Sequence, residues 1–308
     1  MTAQAWADPG RLDWLDDVLA GLGTPRTGPP EVVHSWALSH VERVPTTAGD
    51  RFLKVSCRHF AAEPTLTGWL SARFPGLVPD VLAVDPGRRC MLMAPLPGGN
   101  AGAGTLPAAA ATLGRLHAGC VEHVEELLRL GAPHRSLADT ARRFREVAED
   151  AVELPRLPPE QRRALAAAVP WALDRVAELD AVGLPDTVAH GDLHLGNVAP
   201  DGASAVVYDW SDVHVGHPLL DVTHLVARAD ELTGEVPVGW SDRYLAAWRP
   251  GWDDAVLRRA VELAVPVDRV FQAVTYEDLL RFLVPEERRA LDGVQNRILA
   301  QVVDLAAR

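Results

Sequence analysis

Apolar residues near the start of the chain recur first at helical and then at strand-like spacing. Residues 11–22 place five leucine and valine side chains at helical spacing, which predicts a short amphipathic helix. Residues 23–30, GTPRTGPP, are rich in proline and glycine and predict a linker. Residues 31–45 and 51–56 have strand character and flank the turn sequence TTAGD, so we expect them to pair as an antiparallel hairpin.

The pattern then alternates between helix and strand before it becomes helical. Residues 63–73 predict a short helix, and residues 78–85 and 90–96 predict two strands joined by the turn PGRR. Residues 105–182 are rich in Ala, Leu, Glu and Arg and predict helices that prolines interrupt, for example at Pro170.

These patterns divide the chain into three parts. Residues 1–30 form an N-terminal helical extension and linker, residues 31–97 a β-rich lobe, and residues 98–308 a helical lobe. A glycine-rich segment at 97–104 serves as the hinge, and residues 188–218 form an island of loops and short strands within the helices. The predicted class is α+β with two lobes, and ligands bind in clefts between lobes.

Composition narrows the class of protein without identifying its chemistry. The 308 residues are 48% hydrophobic and 23% charged, which is typical of a folded globular chain. The acidic N-terminus has no signal-peptide pattern and no apolar run reaches the roughly 20 residues of a membrane span, so we expect a cytoplasmic protein without a membrane partner. The three cysteines have no C-x-x-C spacing, and this argues against a disulfide framework or a zinc site.

The formal net charge of −12 bears on the binding partners. Nucleic-acid binders normally carry a basic patch, so we expect no nucleic-acid partner. An acidic cleft concentrates cations, and the charge is therefore compatible with a cationic substrate.

The island carries a pattern suited to phosphoryl transfer. In HGDLHLGN, Asp192 follows His190 by two residues and Asn197 follows Asp192 by five. This is the spacing of a kinase catalytic loop, in which the Asp accepts the hydroxyl proton and the Asn binds magnesium. Asp209 ends the apolar run AVVYD twelve residues later, in the place of the metal-binding Asp of kinases. The spacing predicts that Asp192 is the catalytic base.

A turn in the island brings these residues together. Residues 200–204, PDGAS, predict a turn that allows 195–199 to pair with 205–208 as a hairpin. That pairing would place Asn197 and Asp209 at one end of the hairpin. Two oxygen ligands suit Mg²⁺, which takes one or two carboxylates and completes its shell with phosphate oxygens and water.

The motifs HGDLHLGN and VYDWSD resemble the signature of the aminoglycoside phosphotransferase and choline kinase superfamily, which has a protein-kinase-like fold. RFLKV resembles the third strand of that fold with its lysine, and VPDVLAVD and CMLMAPLPGG resemble the strands that lead to the hinge. VGHPLLDV resembles the segment after the metal-binding Asp. The resemblance covers most of the chain and implies an ATP- or GTP-dependent small-molecule kinase that uses Mg²⁺.

The resemblance also implies roles for residues of the β-rich lobe. Lys54 would contact the α- and β-phosphates, and Glu63 would pair with Lys54 and fix its ammonium group. Ser39, Met93 and Pro95 would contact the nucleotide. The segment HSWALSHVERV contains no glycine, so phosphate would have to be held by a tighter turn near Ser39 or by Ser39 itself.

The acceptor side is less determined by the sequence. Candidates for substrate contact are the residues Asp212, His194, Asp268, Tyr276 and Glu277, with Asp230, Glu231, Gln272 and Asp278 as further polar positions. The helical spacing of apolar residues in DRVFQAVTYEDLLRFL also fits a solvated polar face, and Asp212 also fits a turn, so both interpretations stay open.

Two neighbouring residues have expected structural roles. His190 is expected to hydrogen-bond the backbone of the catalytic loop, as the resemblance implies. Asp221 is expected to cap or anchor the helix that begins near Pro218.

Three classes of function remain in competition at this point. The first is an active Mg·nucleotide-dependent O-phosphotransferase for a small hydroxylated molecule, because no activation loop for a protein substrate follows Asp209. The second is a degenerate kinase-fold protein that binds nucleotide and regulates. The third is a metal-dependent hydrolase with ligands among the residues His190, His194, His214 and His217. The oligomeric state is not determined by the sequence.

Overall fold

A five-stranded antiparallel sheet forms the core of the first lobe in the computed structural model, which describes residue 6, residues 8–99 and residues 101–308. The strands are β1 (Glu31–Ser35), β2 (Ser39–Thr46), β3 (Gly49–Ser56), β4 (Val81–Asp85) and β5 (Cys90–Met93). Their spatial order is β1-β2-β3-β5-β4. Residues 1–5 and 7 of the predicted extension, and residue 100 of the predicted hinge, lie outside the described residues.

The predicted hairpin is present, but the prediction of one continuous strand over 31–45 is wrong. The segment turns at residues 36–38 and forms two strands, β1 and β2, which pair with each other. The N–H of Trp36 donates to the Ser39 carbonyl at 3.1 Å, and the Trp36 indole donates to Ser39 Oγ at 3.1 Å. These two bonds close a tight turn without a glycine.

Two helices pack against this sheet. Helix α1 (Pro9–Gly21) buries Leu15 and Leu19 against a cluster that includes Leu53 and Leu92 of the sheet. Helix α2 (Glu63–Arg73) has the predicted limits, with Pro64 in its first turn where a missing N–H costs nothing. Short backbone turns over residues 57–63 connect β3 to α2, so Glu63 follows Lys54 by only nine positions.

The second lobe is helical, as the sequence predicts. Its helices are α3 (Leu106–Cys120), α4 (Val124–Arg129), α5 (Leu137–Asp150), α6 (Pro159–Asp180), α7 (Leu219–Thr233), α8 (Trp240–Leu245), α9 (Asp254–Phe282) and α10 (Val294–Ala306). The predicted break at Pro170 is wrong, because α6 continues through it. Burial of Leu165, Ala172 and Val176 on either side of Pro170 holds the helix together despite the lost hydrogen bond.

Short strands lie in the island between these helices. They are β6 (His134–Arg135), β7 (Thr187–Ala189), β8 (Val198–Asp201), β9 (Ser204–Val207) and β10 (His214–Gly216). Strands β8 and β9 form the predicted hairpin, in which Val198 pairs with Val207. Strands β6, β10 and β7 form a small mixed sheet that carries the residues just before the catalytic motif.

Among the described residues, no helix combines the length and apolarity that crossing a membrane would require.

The close approach of α3 and α8 generates a stability prediction. A Cβ at Gly114 would lie 2.4 Å from the Tyr244 carbonyl oxygen, a backbone atom that cannot rotate away. We expect Gly114→Ala to lower the free energy of unfolding by about 1–3 kcal/mol through overpacking. Urea denaturation followed by circular dichroism measures this change.

The matched control is Gly21→Ala at the last residue of α1, where a Cβ meets no atom within 4 Å. This substitution should leave the free energy of unfolding unchanged or raise it by up to about 1 kcal/mol. Equal destabilisation by the two substitutions would contradict the close packing of α3 on α8.

Candidate active site

A buried lysine joins the sheet to the helix beside it. The alternation of β3 points Lys54 and Ser56 to one face, toward the first turn of α2. Lys54 Nζ lies 2.5 Å from Glu63 Oε1, and the Ser56 hydroxyl donates to Glu63 Oε2 at 2.6 Å. Glu63 is completely buried, and a buried carboxylate needs a partner for each oxygen. Lys54 and Ser56 supply these two partners.

The same lysine reaches across to the island of the second lobe. Lys54 Nζ lies 2.6 Å from Asp209 Oδ1 and 3.1 Å from Ser211 Oγ. Burial would lower the pKa of Lys54, but the charges of Glu63 and Asp209 outweigh it and hold the pKa above its ordinary value. Burial likewise would raise the pKa of Asp209, and the ion pair with Lys54 brings it well below the usual range. Both groups are therefore charged at neutral pH.

Asp209 has an unusual backbone conformation. Its φ of 63° lies in the left-handed region, which a non-glycine residue adopts at some cost in strain. Just before it, the Tyr208 N–H donates to the Asn197 carbonyl at 2.9 Å, which extends the pairing of β8 and β9. The hairpin thus ends with Asn197 and Asp209 side by side. Asn197 in turn donates from Nδ2 to the Asp192 carbonyl at 3.0 Å.

The loop that carries Asp192 is fastened from behind by a buried carboxylate. Asp221, in the first turn of α7, accepts the backbone N–H groups of His190 and Gly191 at 2.5 and 2.9 Å. His117 Nε2 lies 3.2 Å from the same carboxylate. Burial would raise the pKa of Asp221, and the hydrogen bond and charge of His117 bring it well below the usual range. A charged Asp221 therefore orients the loop.

Gly191 is required next to Asp192 for two reasons. Its φ is +89°, and a Cβ at this position would lie 2.7 Å from the Asp212 carbonyl oxygen. Gln272 Nε2 donates to the Gly191 carbonyl at 3.0 Å, so α9 also holds this peptide. The Asp192 N–H donates to His190 Nδ1 at 3.4 Å, which is the loop-backbone contact expected for this histidine. His190 Nε2 also lies 3.0 Å from the Tyr208 carbonyl.

Asp192 faces the space between the lobes, with its side chain 40% exposed. His224 Nε2 lies 3.5 Å from Asp192 Oδ1 on the buried side. Burial raises the pKa of Asp192, but the interaction with His224 outweighs it, so the net pKa is below the ordinary value. The carboxylate is thus ionised near neutral pH and able to accept a proton.

Two adjoining cavities meet at these residues. The larger, about 520 Å³, lies between the lobes and is lined by Lys54, Ser39 and Asp209 together with Met93 and Pro95, which come just before the hinge. The smaller, about 160 Å³, is lined by Asp192, Asn197, Asp209, Asp212 and Tyr276 with several apolar side chains. The residues Trp36, Ser39 and Asp209 line both cavities.

A family model described as "Phosphotransferase enzyme family" matches residues 39–258, which is more than half of the chain and includes all of these catalytic-loop residues. The chain belongs to the phosphotransferase enzyme family. The match confirms the family resemblance seen in the sequence and the prediction of a small-molecule kinase. No curated protein matches the phosphotransferase by sequence search.

Solved structures confirm the predicted fold class of the phosphotransferase. A choline/ethanolamine kinase family protein from Mesorhizobium loti is 18% identical, with 96% of this chain and 98% of that chain covered and a TM-score of 0.62. A macrolide 2′-phosphotransferase from Brachybacterium faecium is 19% identical, with 94% and 98% covered and a TM-score of 0.59. An amicoumacin kinase solved with AMP-PNP and Ca²⁺ is 15% identical, with 98% and 95% covered and a TM-score of 0.58.

The structure places two of the predicted substrate residues at the smaller cavity of the phosphotransferase. Tyr276 and Asp212 both line it. Burial raises the pKa of Asp212 to about 7, and Arg135, with Nη1 3.8 Å from Asp212 Oδ1, partly offsets this effect. Asp212 therefore changes charge near neutral pH.

The other three predicted substrate residues do not line this cavity. Asp268 is buried and lies 3.3 Å from His224, behind the catalytic loop. Glu277 points to the opposite side of α9, where it accepts from the Val152 N–H and from Gln295. His194 Nδ1 accepts the Gly196 N–H at 3.0 Å, so this ring caps a short 3₁₀ turn.

The structure also assigns roles that the sequence did not suggest. Asp221 was expected to cap or anchor α7. It does not cap the helix; its carboxylate accepts two N–H groups of the catalytic loop and so anchors the first turn of α7 to that loop. His224, which was not among the candidates, contacts Asp192. The sequence did hold a signal for His224. Residues three apart on a helix share one face, so if Asp221 faces the catalytic loop, His224 faces it too. Within the described residues no three His, Cys, Asp or Glu side chains form a metal cluster, so the hydrolase alternative has no ligand set there.

The role of Asp221 gives a prediction for stability. Asp221→Asn should lower the free energy of unfolding of the phosphotransferase by about 2–4 kcal/mol, since an amide cannot accept on both sides from buried N–H groups. The folded-state pKa of Asp221 is depressed, so its stabilisation is complete above the ordinary value of 3.8 and decreases as the pH falls further. Urea denaturation at neutral and acidic pH measures both effects.

The control is Asp17→Asn on the exposed face of α1, which should change stability by less than about 0.5 kcal/mol. The gap in stability between wild type and Asp221→Asn should narrow below the ordinary pKa of the aspartate. A gap that stays constant into the acid range would show that the Asp221 charge does not hold the loop.

Proposed function

We propose that this phosphotransferase transfers the γ-phosphate of ATP or GTP to a hydroxyl group of a small molecule, with Mg²⁺ and with Asp192 as the catalytic base. The observation that carries the proposal is the convergence of Lys54, Asp192, Asn197 and Asp209 where the two cavities meet. Phosphoryl transfer asks the protein mainly for positioning and for neutralisation of charge, and this arrangement provides both.

The larger cavity has the features of a nucleotide site. The apolar side chains of Val41, Phe52 and Met91 line its walls, and Lys54 at its inner end carries the positive charge that phosphates require. Ser39, the first residue of β2 after the glycine-free turn, also lines this cavity. The solved amicoumacin kinase complex with AMP-PNP supports a nucleotide in the corresponding cleft.

Residues 94–96, between β5 and the hinge, offer a limited set of groups to the purine of the nucleotide. The Ala94 N–H is used by the Asp80 carbonyl at 2.9 Å, and Pro95 has no N–H. Among the described residues, the Leu96 N–H has no protein acceptor, and Leu96 lines the cavity. We therefore place the donor that contacts the purine ring at Leu96. Met93 and Pro95 would contribute apolar contacts to the ring.

The donor set near Asp192 fits a magnesium ion. Asn197 and Asp209 supply an amide oxygen and a carboxylate side by side at the end of the hairpin, and both line the smaller cavity. A site with two protein oxygens suits Mg²⁺, which takes its other ligands from phosphate and water. When bound, the ion would neutralise charge on the phosphates. Lys54 would then share Asp209 with the metal.

Asp192 would act on the acceptor from the smaller cavity. Its carboxylate is ionised and partly exposed, so it can hold the acceptor hydroxyl by a hydrogen bond and take its proton as transfer proceeds. Phe60, Tyr276 and Leu279 line the same cavity and can hold an apolar part of the acceptor. The carboxylates there and the net charge of −12 favour an acceptor with a positive charge.

A screen of hydroxylated antibiotics and metabolites tests the proposal. ADP or GDP release is measured with and without Mg²⁺, and the product mass shows whether a phosphate was added. We expect Asp192→Asn to lower kcat by about 10²- to 10⁴-fold and to leave nucleotide affinity nearly unchanged, because the base acts only in the chemical step.

Asp209→Asn should act at an earlier step. We expect it to weaken binding of nucleotide in the presence of Mg²⁺ by at least about 10-fold, because the metal loses its carboxylate, and calorimetry measures this affinity. Asp201→Asn at the exposed end of β8 is the control for both variants and should behave as wild type. Nucleotide binding that never depends on a metal, without transfer to any acceptor, would favour the regulatory alternative.

A further inference from the structure

A buried histidine connects the catalytic loop to the long helix behind it. His224 is 4% exposed and lies on α7, one helical turn after Asp221. Its Nε2 atom is 3.5 Å from Asp192 Oδ1, and its Nδ1 atom is 3.3 Å from Asp268 Oδ1. The ring therefore lies between two carboxylates, one from the loop and one from α9.

The geometry favours a particular protonation state of this ring. A neutral imidazole has one N–H and one lone pair, so it would direct the lone pair at one of the two carboxylates. An imidazolium donates on both sides. The buried Nε2 atom makes no hydrogen bond within the described part of the chain and lies at ion-pair distance, 3.5 Å, from Asp192 Oδ1. A cation at His224 is the state that both carboxylates favour.

Asp268 also pairs with a second cationic side chain, that of Arg269. Asp268 is 1% exposed, and Arg269 Nη2 lies 3.1 Å from its Oδ2 atom. Arg269 is itself near Glu231, with Nη1 3.8 Å from Oε1. His194 of the loop interacts electrostatically with His224, and His190 of the loop and Arg228 of α7 act in turn on His194.

We propose that His224, as an imidazolium braced by Asp268, positions the carboxylate of Asp192 for catalysis. This inference rests on the proposed function, in which Asp192 is the base. His224 lies outside the residues that line either cavity, so it is a positioning residue and not a catalytic one. In this array of Asp192, His224 and Asp268, the buried Asp268 on α9 holds the imidazole ring in place.

The array completes a two-sided support of the catalytic loop. Asp221 and His224 project from one face of α7, the first to the loop backbone and the second to the Asp192 side chain. Gln272 and Asp268 project from α9, the first to the Gly191 carbonyl and the second to His224. Each helix thus fixes the backbone of the loop directly and the base through His224.

The charge of His224 gives the inference a pH signature. Burial would lower its pKa, but Asp268 and Asp192 raise it to about 9. The ring is therefore a cation at neutral pH and loses its proton as the pH rises through that value. Asp192 would lose its imidazolium partner at that pH, so the rate of phosphoryl transfer should decline as the pH rises further.

The test compares pH profiles of kcat/KM for wild type and His224→Gln, using transfer to the acceptor from the screen or Mg²⁺-dependent hydrolysis of the nucleotide. In His224→Gln we expect kcat to fall by about 10- to 100-fold. The alkaline limb from His224 should disappear.

The matched control is His217→Gln, which removes another buried histidine, 3% exposed, that has no contact with Asp192. Its pH profile should match wild type. Asp268→Asn should shift the profile in the same direction as His224→Gln, since it removes the brace. Two variants at different sites keep the test valid if one of them folds poorly.

A direct readout uses wild-type protein with labelled histidine in an NMR titration. We expect the His224 ring to titrate well above its ordinary value of 6.5, and to titrate lower in Asp192→Asn and in Asp268→Asn. A His224 that titrates near 6.5, or a His224→Gln profile identical to wild type in an active enzyme, would overturn the inference alone. An inactive wild type would overturn the proposed function, and the role of His224 in catalysis with it, while the titration would still report the ion pair.

Discussion

The structure depends on a lysine ammonium group held between two carboxylates from different lobes. Lys54 is 5% exposed, and a charge removed from water to this extent is costly unless it is paired. Glu63 supplies the pair within the first lobe, and Asp209 supplies it from the second. Because the lysine needs both, the sheet, α2 and the catalytic island are set in one arrangement. The cavities on either side of this contact follow from it.

The catalytic loop is likewise held by a buried charged group that is paired with hydrogen-bond donors. Asp221 is charged and buried because it accepts two backbone N–H groups of the loop and faces His117. Polar groups that are buried and fully paired specify one geometry, since any other leaves a charge unsolvated. The helices behind the loop therefore define where Asp192 lies. The exposed side of the site is left free for ligands.

Much of this arrangement could be predicted from the sequence, because local signals determine it. The catalytic spacing, the hairpin around the turn at 200–204 and the limits of α2 all follow from short-range patterns. The predictions that were wrong concern contacts between elements that are distant in the sequence. Asp268 and Glu277 lie on one helix, but only tertiary packing decides that one faces His224 and the other faces Gln295. Helix α6 continues through Pro170 for the same reason.

The contact between Gly191 and Asp212 has a mechanical consequence. The Cα of Gly191 lies so close to the Asp212 backbone that no side chain fits between them, and closely packed groups transmit displacement instead of absorbing it. Asp212 borders the smaller cavity and Gly191 precedes Asp192 directly. An acceptor that pushes on Asp212 would thereby move the peptide next to Asp192, the proposed base. The alignment of the reacting groups would then respond to the shape of the molecule that occupies the cavity.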